Sequence, residues 1–347
     1  MILAIDDTLK LAASLFPPAL VPPHTQRALV RLAGVLPPVA SGGAVECRLG
    51  DDPRVDLLMY LLAEEGGPRA MLRRPAGEND PAWRAVRSFC EAWSCEGSPF
   101  QTWVPVLWLE FDVEGEDALP SPLPFPCVDR HLLDALPPGP QDSATREVCL
   151  QVIREAAALL LGRPLSAATE REMTRCIERL PLEGRALHVA PLATRGLDAV
   201  RVVSTLPVDV LPGYLDAIAW PGAKPPLEDL LASLFPRTGH VSCHLDVTAR
   251  VEPVLGLEIS YAPGDPRWEP VLGELCARGA CSPEKAEALL RWPAEGVVAL
   301  PHHRWPSRIL GTVGIKLVLR PDEPLLAKAY LGFTERLWLP HGSARFA

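Results

Sequence analysis

Five times along this chain a run of period-2 alternation breaks at turn residues and resumes, and helix-like stretches separate the five pairs. The pairs span 44–60, 104–125, 186–206, 240–262 and 314–333. Their expected turns lie at Gly50-Asp51-Asp52-Pro53, around Glu114-Gly115-Glu116-Asp117, at Thr194-Arg195-Gly196, near Glu252-Pro253, and at Pro321-Asp322-Glu323-Pro324. Between them, "DPAWRAVRSFCEAWS", "ATREVCLQVIREAAALLLG", "SAATEREMTRCIERL", "PLEDLLASLF" and "SPEKAEALLRW" carry helical spacing, with Ser282 and Pro283 as cap and first residue of the last. Strands joined by tight turns pair antiparallel, so five hairpins make either an open sheet or a ten-stranded barrel. Closure removes exposed edges, and a barrel of that width is too wide for side chains to fill.

The alternation says which face meets the helices. In the fourth pair Val241, Cys243, Leu245 and Val247 share one face, while His240, Ser242, His244, Asp246 and Thr248 share the other. In the fifth, Ile315, Leu317 and Leu319 oppose Lys316 and Arg320, and Ala329, Leu331 and Phe333 oppose Lys328 and Tyr330. Helices need an apolar partner, so the apolar face is the outer one and the polar face lines the inside. That places the cations Arg48, Arg201, Lys316, Arg320 and Lys328 inward, with His188 and His244 as helpers. The inward anions are Glu46, Asp56, Glu110, Asp112, Asp246 and Glu258, and the inward aromatics are chiefly Trp108 and Tyr330. The competing arrangement is an open sheet with Lys316, Arg320 and Lys328 on a solvated face.

Composition narrows the partners. The chain is 48% hydrophobic with a net charge of −9, which supplies a core and argues against a nucleic-acid partner. No apolar run reaches the length of a membrane span, and Asp6 and Asp7 stand where a secretory signal carries basic residues. The nine cysteines sit mostly in apolar runs, as in a reduced, cytoplasmic protein. The 39 prolines cluster between periodic segments as boundaries, and "LPPGPQDS" (136–143) is the best linker candidate in what reads as one domain over 1–347.

A polar interior, an apolar exterior and a helical jacket resemble the ABBA or PT-barrel prenyltransferases, which build such barrels from repeated α-β-β-α units. The stretch "AKAYLGF" (327–333) is similar to the lysine–x–tyrosine strand motifs of that family. The resemblance implies a metal-independent reaction in which interior lysines, arginines and tyrosines hold a prenyl diphosphate and tyrosines shield the allylic cation. It implies too that a carboxylate on the barrel wall holds an indole N–H or takes a phenolic proton, and the candidates for a catalytic role are Glu110, His244 and Asp246. The other hairpins depart from the motif: "LEISY" has Glu258 and Ser260 in the motif positions, "VRVVSTL" keeps Arg201 without a tyrosine, and "ALPSPLPFP" is broken by proline.

The expectation is therefore a prenyltransferase-like barrel with its diphosphate cage largely lost. It would bind a peptide or aromatic small molecule in natural-product biosynthesis, including that of ribosomal peptides, through Arg48, Trp108, Glu110, His188, Arg201, His244, Glu258, Lys316, Arg320, Lys328 and Tyr330. The alternative is an active aromatic or peptide prenyltransferase taking dimethylallyl or geranyl diphosphate, with Lys316, Lys328 and Arg201 on the diphosphate. A lipid-carrying barrel is a third class, which the mixed interior charges oppose.

Other signals are weaker. "DDPRVD" is ordinary turn chemistry, and the i,i+5 cysteines of "CEAWSC" and "CARGAC" do not converge on a metal even with His302 and His303. "HLD" reads as a structural hydrogen bond before a catalytic dyad. No nucleotide-binding or nucleophile-elbow motif appears, so no cofactor or metal is expected.

Overall fold

The apolar stripe of each strand needs a cover, and the helices between hairpins supply it. The computed structural model describes residues 5–40, 42–73, 77, 79–113, 120–129, 141–192, 199–235, 239–293, 295–298 and 306–337. The strands are β1 (Gly42–Arg48), β2 (Val55–Leu62), β3 (Val106–Asp112), β4 (Leu123–Cys127), β5 (Arg185–Pro191), β6 (Val200–Pro207), β7 (His240–Val247), β8 (Val251–Tyr261), β9 (Glu295–Val298), β10 (Ser307–Leu319) and β11 (Leu326–Leu337). Ten of them follow one another in a single antiparallel sheet, β1 to β8, then β10 and β11. The pairing of β11 back onto β1, Gly42 opposite Thr334 through Arg48 opposite Lys328, closes the sheet into a barrel. The short β9 lies outside this ring, paired to the first residues of β10. Among the described residues, eleven α-helices accompany the barrel.

The outward faces are the expected ones. Val45, Leu57, Met59, Leu109, Phe111, Val202, Cys243, Leu257, Ile315 and Ala329 are all sealed into one core with the helices. On α4 (Pro81–Ser94) the inner positions are Trp83, Val86, Phe89, Cys90 and Trp93, at helical spacing. This helix starts at Asp80, whose side chain accepts from the Ala82 N–H at 2.7 Å, and Pro81 occupies the first turn. On α6 (Ser143–Leu161), capped by Asp142, the buried stripe is Cys149, Val152, Ile153, Ala156, Ala157 and Leu160. Burying this double layer, strand face against helix stripe, is the main favourable term holding the jacket on the wall.

Three local expectations change. The fourth turn sits at Thr248–Arg250 rather than at Glu252-Pro253, because β8 begins at Val251. Val247 pairs with Val251 but Leu245 with Leu255, so Glu252, Pro253 and Val254 face the single Asp246 in a bulge. A bulge leaves Pro253 without a ladder bond to donate. The proline-rich return of the second hairpin is a true strand: β4 pairs with β3 over five positions. Val128 donates to the Leu187 carbonyl on β5, so by strand alternation Pro124 and Pro126 turn their missing N–H groups to that side. The β4–β5 ladder is accordingly reduced to one residue pair, Cys127 opposite His188. Arg185 and Asp129, both nearly buried, clamp this seam with a two-pronged bond, Nε–Oδ2 at 2.8 Å and Nη2–Oδ1 at 2.6 Å. Finally, β10 ends at Leu319, and Arg320 stands exposed in the turn with Glu323 at 2.9 Å.

The nine cysteines carry no disulfide, and all but Cys95 and Cys276 are buried. Burial pushes the Cys47, Cys90, Cys149 and Cys176 thiols up to about 12, so they stay neutral packing groups. Asp52 caps its turn by accepting from Arg54, which keeps that "DDP" run in turn chemistry. His302, His303, most of "LPPGPQDS" and the turns at 114–117 and 194–196 lie outside the described residues. Among the described residues no helix is long and apolar enough to cross a membrane.

Candidate functional site

The barrel has two ends, one carrying the hairpin turns and one the connections to helices. Between them lies a cavity of about 710 Å³. Its wall divides into two zones.

Toward the helix end runs a row of rings, one per strand. Tyr60 and Trp108 are register partners with ring centroids 4.9 Å apart, and Trp108 lies parallel to Phe125 at 6.2 Å. Phe125 meets the edge of His188 at 5.9 Å. The row is anchored at Tyr60, whose hydroxyl bonds Thr334 Oγ1 at 2.7 Å on β11. That bond passes over β1 at Gly42, where any Cβ would collide with the Tyr60 hydroxyl and the Phe333 carbonyl, so only glycine lets the phenol through. Beside His188, a bulge at Leu187 breaks the β5 register, and both Leu187 and His188 reach the cavity wall. The His188 ring bonds the Pro126 carbonyl, while its Nδ1 is buried without a partner in the protein. Burial, opposed by the Glu258 charge, holds His188 down at about 4, so the ring is neutral and Nδ1 is an acceptor.

Toward the turn end the wall is charged. Arg48 Nη1 lies 2.5 Å from Glu46 Oε1 and 2.8 Å from Asp56 Oδ2. Lys328 Nζ reaches the same Glu46 oxygen at 2.8 Å. Burial works against the Glu46 charge, but Lys328 and Arg48 overcome it and hold this carboxyl well below the usual range. Its neighbour goes the other way: burial, helped by the Glu46 and Asp112 charges and opposed by Arg48, raises Asp56 to about 6. Arg201 grips Asp246 in two-pronged fashion, Nε–Oδ1 at 2.7 Å and Nη2–Oδ2 at 2.9 Å. Burial raises Asp246, and the Arg201 bonds more than reverse that, leaving it below its ordinary value. Lys316 Nζ meets His244 Nδ1 at 3.0 Å, and His244 Nε2 lies 3.2 Å from Glu258 Oε2 without hydrogen-bond alignment. Burial, together with Lys316 and Arg201, keeps His244 far below its usual titration, so this contact joins a neutral ring to a carboxyl that burial raises. The His244–Glu258 proximity is therefore not an ion pair.

Of the residues singled out from the sequence, Trp108, Glu110, His188, Arg201, His244, Glu258, Lys316 and Tyr330 line the cavity. Arg48, Lys328 and Asp246 point inward but are taken up by the ion pairs just described. Arg320 is outside the barrel. Tyr60 and Phe125 were missed. The period-2 pattern did offer Tyr60, on the face of Asp56 and Leu58, but Phe125 was hidden among prolines. Glu46, Asp56 and Glu110 carry oxygens close enough together to hold a cation, yet Arg48 and Lys328 already bond Glu46 Oε1 and Arg48 also bonds Asp56.

No protein-family model matches the chain, and no curated protein matches it. Solved structures do. The apo form of the prenyltransferase PriB is similar over 94% of this chain and 93% of that one, at 15% identity and a TM-score of 0.51. The fold is the prenyltransferase barrel. A ternary complex of PriB with L-tryptophan and dimethylallyl thiolodiphosphate covers 94% of this chain and 96% of that one, at 16% identity and a TM-score of 0.48. At these identities the likeness fixes the path of the chain and assigns no residue a role. What this barrel does must come from its own wall.

Proposed function

We propose that this barrel binds an aromatic group, carried by a small molecule or by a peptide side chain, and that it does not ionise a prenyl diphosphate. The observation that carries this reading is the state of the interior cations. Arg48 and Lys328 are bonded to Glu46, Arg201 to Asp246, and Lys316 to His244. In this part of the wall the acidic residues Glu46, Asp56, Glu110, Asp246 and Glu258 outnumber the basic residues Arg48, Arg201, Lys316 and Lys328. A diphosphate entering here would have to break those pairs and face the released carboxylates, which is strongly unfavourable.

The aromatic zone has the opposite character. Tyr60, Trp108 and Phe125 offer a shelf against which a ring can stack, and His188 Nδ1 and the Glu110 carboxylate offer acceptors for an indole N–H or a phenol. We infer from the resemblance of the sequence to the prenyltransferase barrels a setting in natural-product biosynthesis, where an aromatic or peptide precursor is held for modification.

Isothermal titration separates the readings. An indole-containing peptide or a free indole should bind with a Kd on the order of micromolar, and Trp108→Ala should weaken that binding by about tenfold. Dimethylallyl thiolodiphosphate should show no saturable binding in the same range. Saturable thiolodiphosphate binding that Lys316→Met abolishes, with no binding of indole ligands, would establish the transfer reading instead.

A further inference from the structure

The chain has five lysines, Lys10, Lys224, Lys285, Lys316 and Lys328. Four of them meet oxygen atoms. Lys10 bonds the Asp6 carboxylate at 3.0 Å, Lys224 lies 2.6 Å from Asp216, and Lys328 bonds Glu46 at 2.8 Å. Lys285 donates to the backbone carbonyls of Arg48, Gly50 and Asp52. Lys316 instead meets a ring nitrogen, His244 Nδ1, and does so on the wall of the cavity.

The contact is built rather than incidental. On β8, between the two side chains, stands Gly256, the register partner of His244. A Cβ there would lie 2.8 Å from Lys316 Cε and 3.0 Å from His244 Cβ, so glycine is what leaves room for the lysine to fold down onto the imidazole. Glu258 follows two residues later as the register partner of Lys316 itself. Amine, imidazole and carboxyl thus meet on one patch of the wall.

We propose that Lys316 is a covalent site whose amine condenses with the carbonyl of an aldehyde or ketone admitted to the cavity, giving an imine. The Nζ lone pair attacks the carbonyl carbon, and the C=O π electrons move to oxygen, which takes up a proton. That proton comes from Glu258, and the nitrogen passes one to His244. His244 returns it to the carbinolamine hydroxyl, which leaves as water, and the remaining N–H proton of the iminium goes to the Glu258 carboxylate, leaving the neutral imine. One C=N bond forms, the C–O bond breaks, and no electrons are gained or lost. The electrostatics of the patch agree. Burial, with the nearby cations Arg201 and Lys328, lowers the Lys316 ammonium to about 7 against the pull of Glu46 and Glu258. Burial also raises Glu258 toward its protonated form, opposed by Lys316 and His188. The amine attacks in its free form, and a carboxyl biased toward its protonated form is suited to hand a proton to the carbonyl oxygen.

This site does not depend on the aromatic reading, and one experiment tests the two apart. The protein is incubated at pH 7 with sodium cyanoborohydride and either indole-3-carbaldehyde or propanal, then digested and mapped by mass spectrometry. Reductive labelling at Lys316 should exceed that at Lys10 and Lys224 by more than about tenfold, because an ordinary lysine in water offers little free amine at this pH. Preference for the indole aldehyde supports both the covalent site and the aromatic shelf. Equal labelling by the two aldehydes supports the site and sinks the shelf. Lys316 labelled no more than Lys10 and Lys224, or no more than Lys328, overturns the proposal. Lys316→Arg, which keeps a cation in the wall, should remove the cavity adduct; persistence of a cavity adduct in that variant overturns it as well. The mapping on the wild-type chain stands whether or not the variant folds.

Discussion

Glu46→Gln is the sharpest probe of the turn-end ion pairs. The glutamine keeps the shape of the side chain and deletes its charge. In the native barrel this carboxylate is 2% exposed and holds Arg48 at 2.5 Å and Lys328 at 2.8 Å. Removing one member of a buried ion cluster leaves uncompensated charge and costs about 3–5 kcal/mol. Asp56 softens the loss: with the Glu46 charge gone, one cause of its raised pKa disappears, which favours its charged form beside Arg48. The expected loss is therefore near the lower limit, about 3 kcal/mol. For a chain of 347 residues the unfolding entropy is about 0.7 kcal/mol/K, so the Tm should fall by about 4 °C. Urea unfolding at pH 7, followed by tryptophan fluorescence, measures the free energy directly. Adding Lys328→Met restores the balance of charge, and the double variant should be more stable than the sum of the single losses by at least about 1 kcal/mol. A single-variant loss under about 1 kcal/mol, or strict additivity in the cycle, would refute the claim that these cations are held by Glu46.

Three further outcomes follow from the same wall. The raised Asp56 carboxyl has a folded pKa above its unfolded value, so its stabilising contribution is complete at low pH and is lost as pH rises through about 6. Asp56→Asn cannot undergo that loss, and its stability relative to wild type should climb by about 1–3 kcal/mol from pH 4 to pH 7; a flat difference would contradict it. Arg185→Met strands the Asp129 carboxylate at a seam with a single β4–β5 residue pair, and denaturant unfolding should show a loss of about 3–5 kcal/mol; a loss below about 1 kcal/mol would mean that the clamp is idle. Gly256→Ala should cost about 1–3 kcal/mol by overpacking and cut the aldehyde labelling of Lys316; unchanged labelling would show that the glycine does not seat the lysine.

The wall was readable in the sequence because one physical demand repeats in every strand. Each must turn an apolar face to the helices, so Cys243, Leu245 and Val247 on one side and His244 and Asp246 on the other gave the barrel its inside and outside. What alternation cannot carry is a break in its own period. The bulge at Leu187 turned two successive residues to the cavity, and the bulge opposite Asp246 absorbed Pro253 where a turn was expected. Phe125 was lost for a related reason: prolines that weaken only one side of a strand look, letter by letter, like a strand that is absent. Arg320 carried the right parity but sat one residue past the end of β10. The identity of each cation's partner was also out of reach. Glu46 lies two residues from Arg48 along β1, but its bond to Lys328 exists only because β11 comes to lie beside β1.

That last contact has a consequence for how the chain reaches its final form. Glu46 and Lys328 are separated by 282 positions, and the β1–β11 seam is built from residues equally remote. Contacts of such separation form late, because a long loop must close before they return any stabilisation. Until then β1 and β8 are two unpaired borders of an unfinished sheet, and Glu46 and Arg48 lie near one of them. The β10–β11 hairpin is the piece that enters between those borders, bringing Lys316 and Lys328 to their partners in the same event. During synthesis, therefore, sheet closure and the Lys328–Glu46 bond must both wait for this hairpin to emerge, and the interval before it arrives is the period of greatest exposure to mispairing.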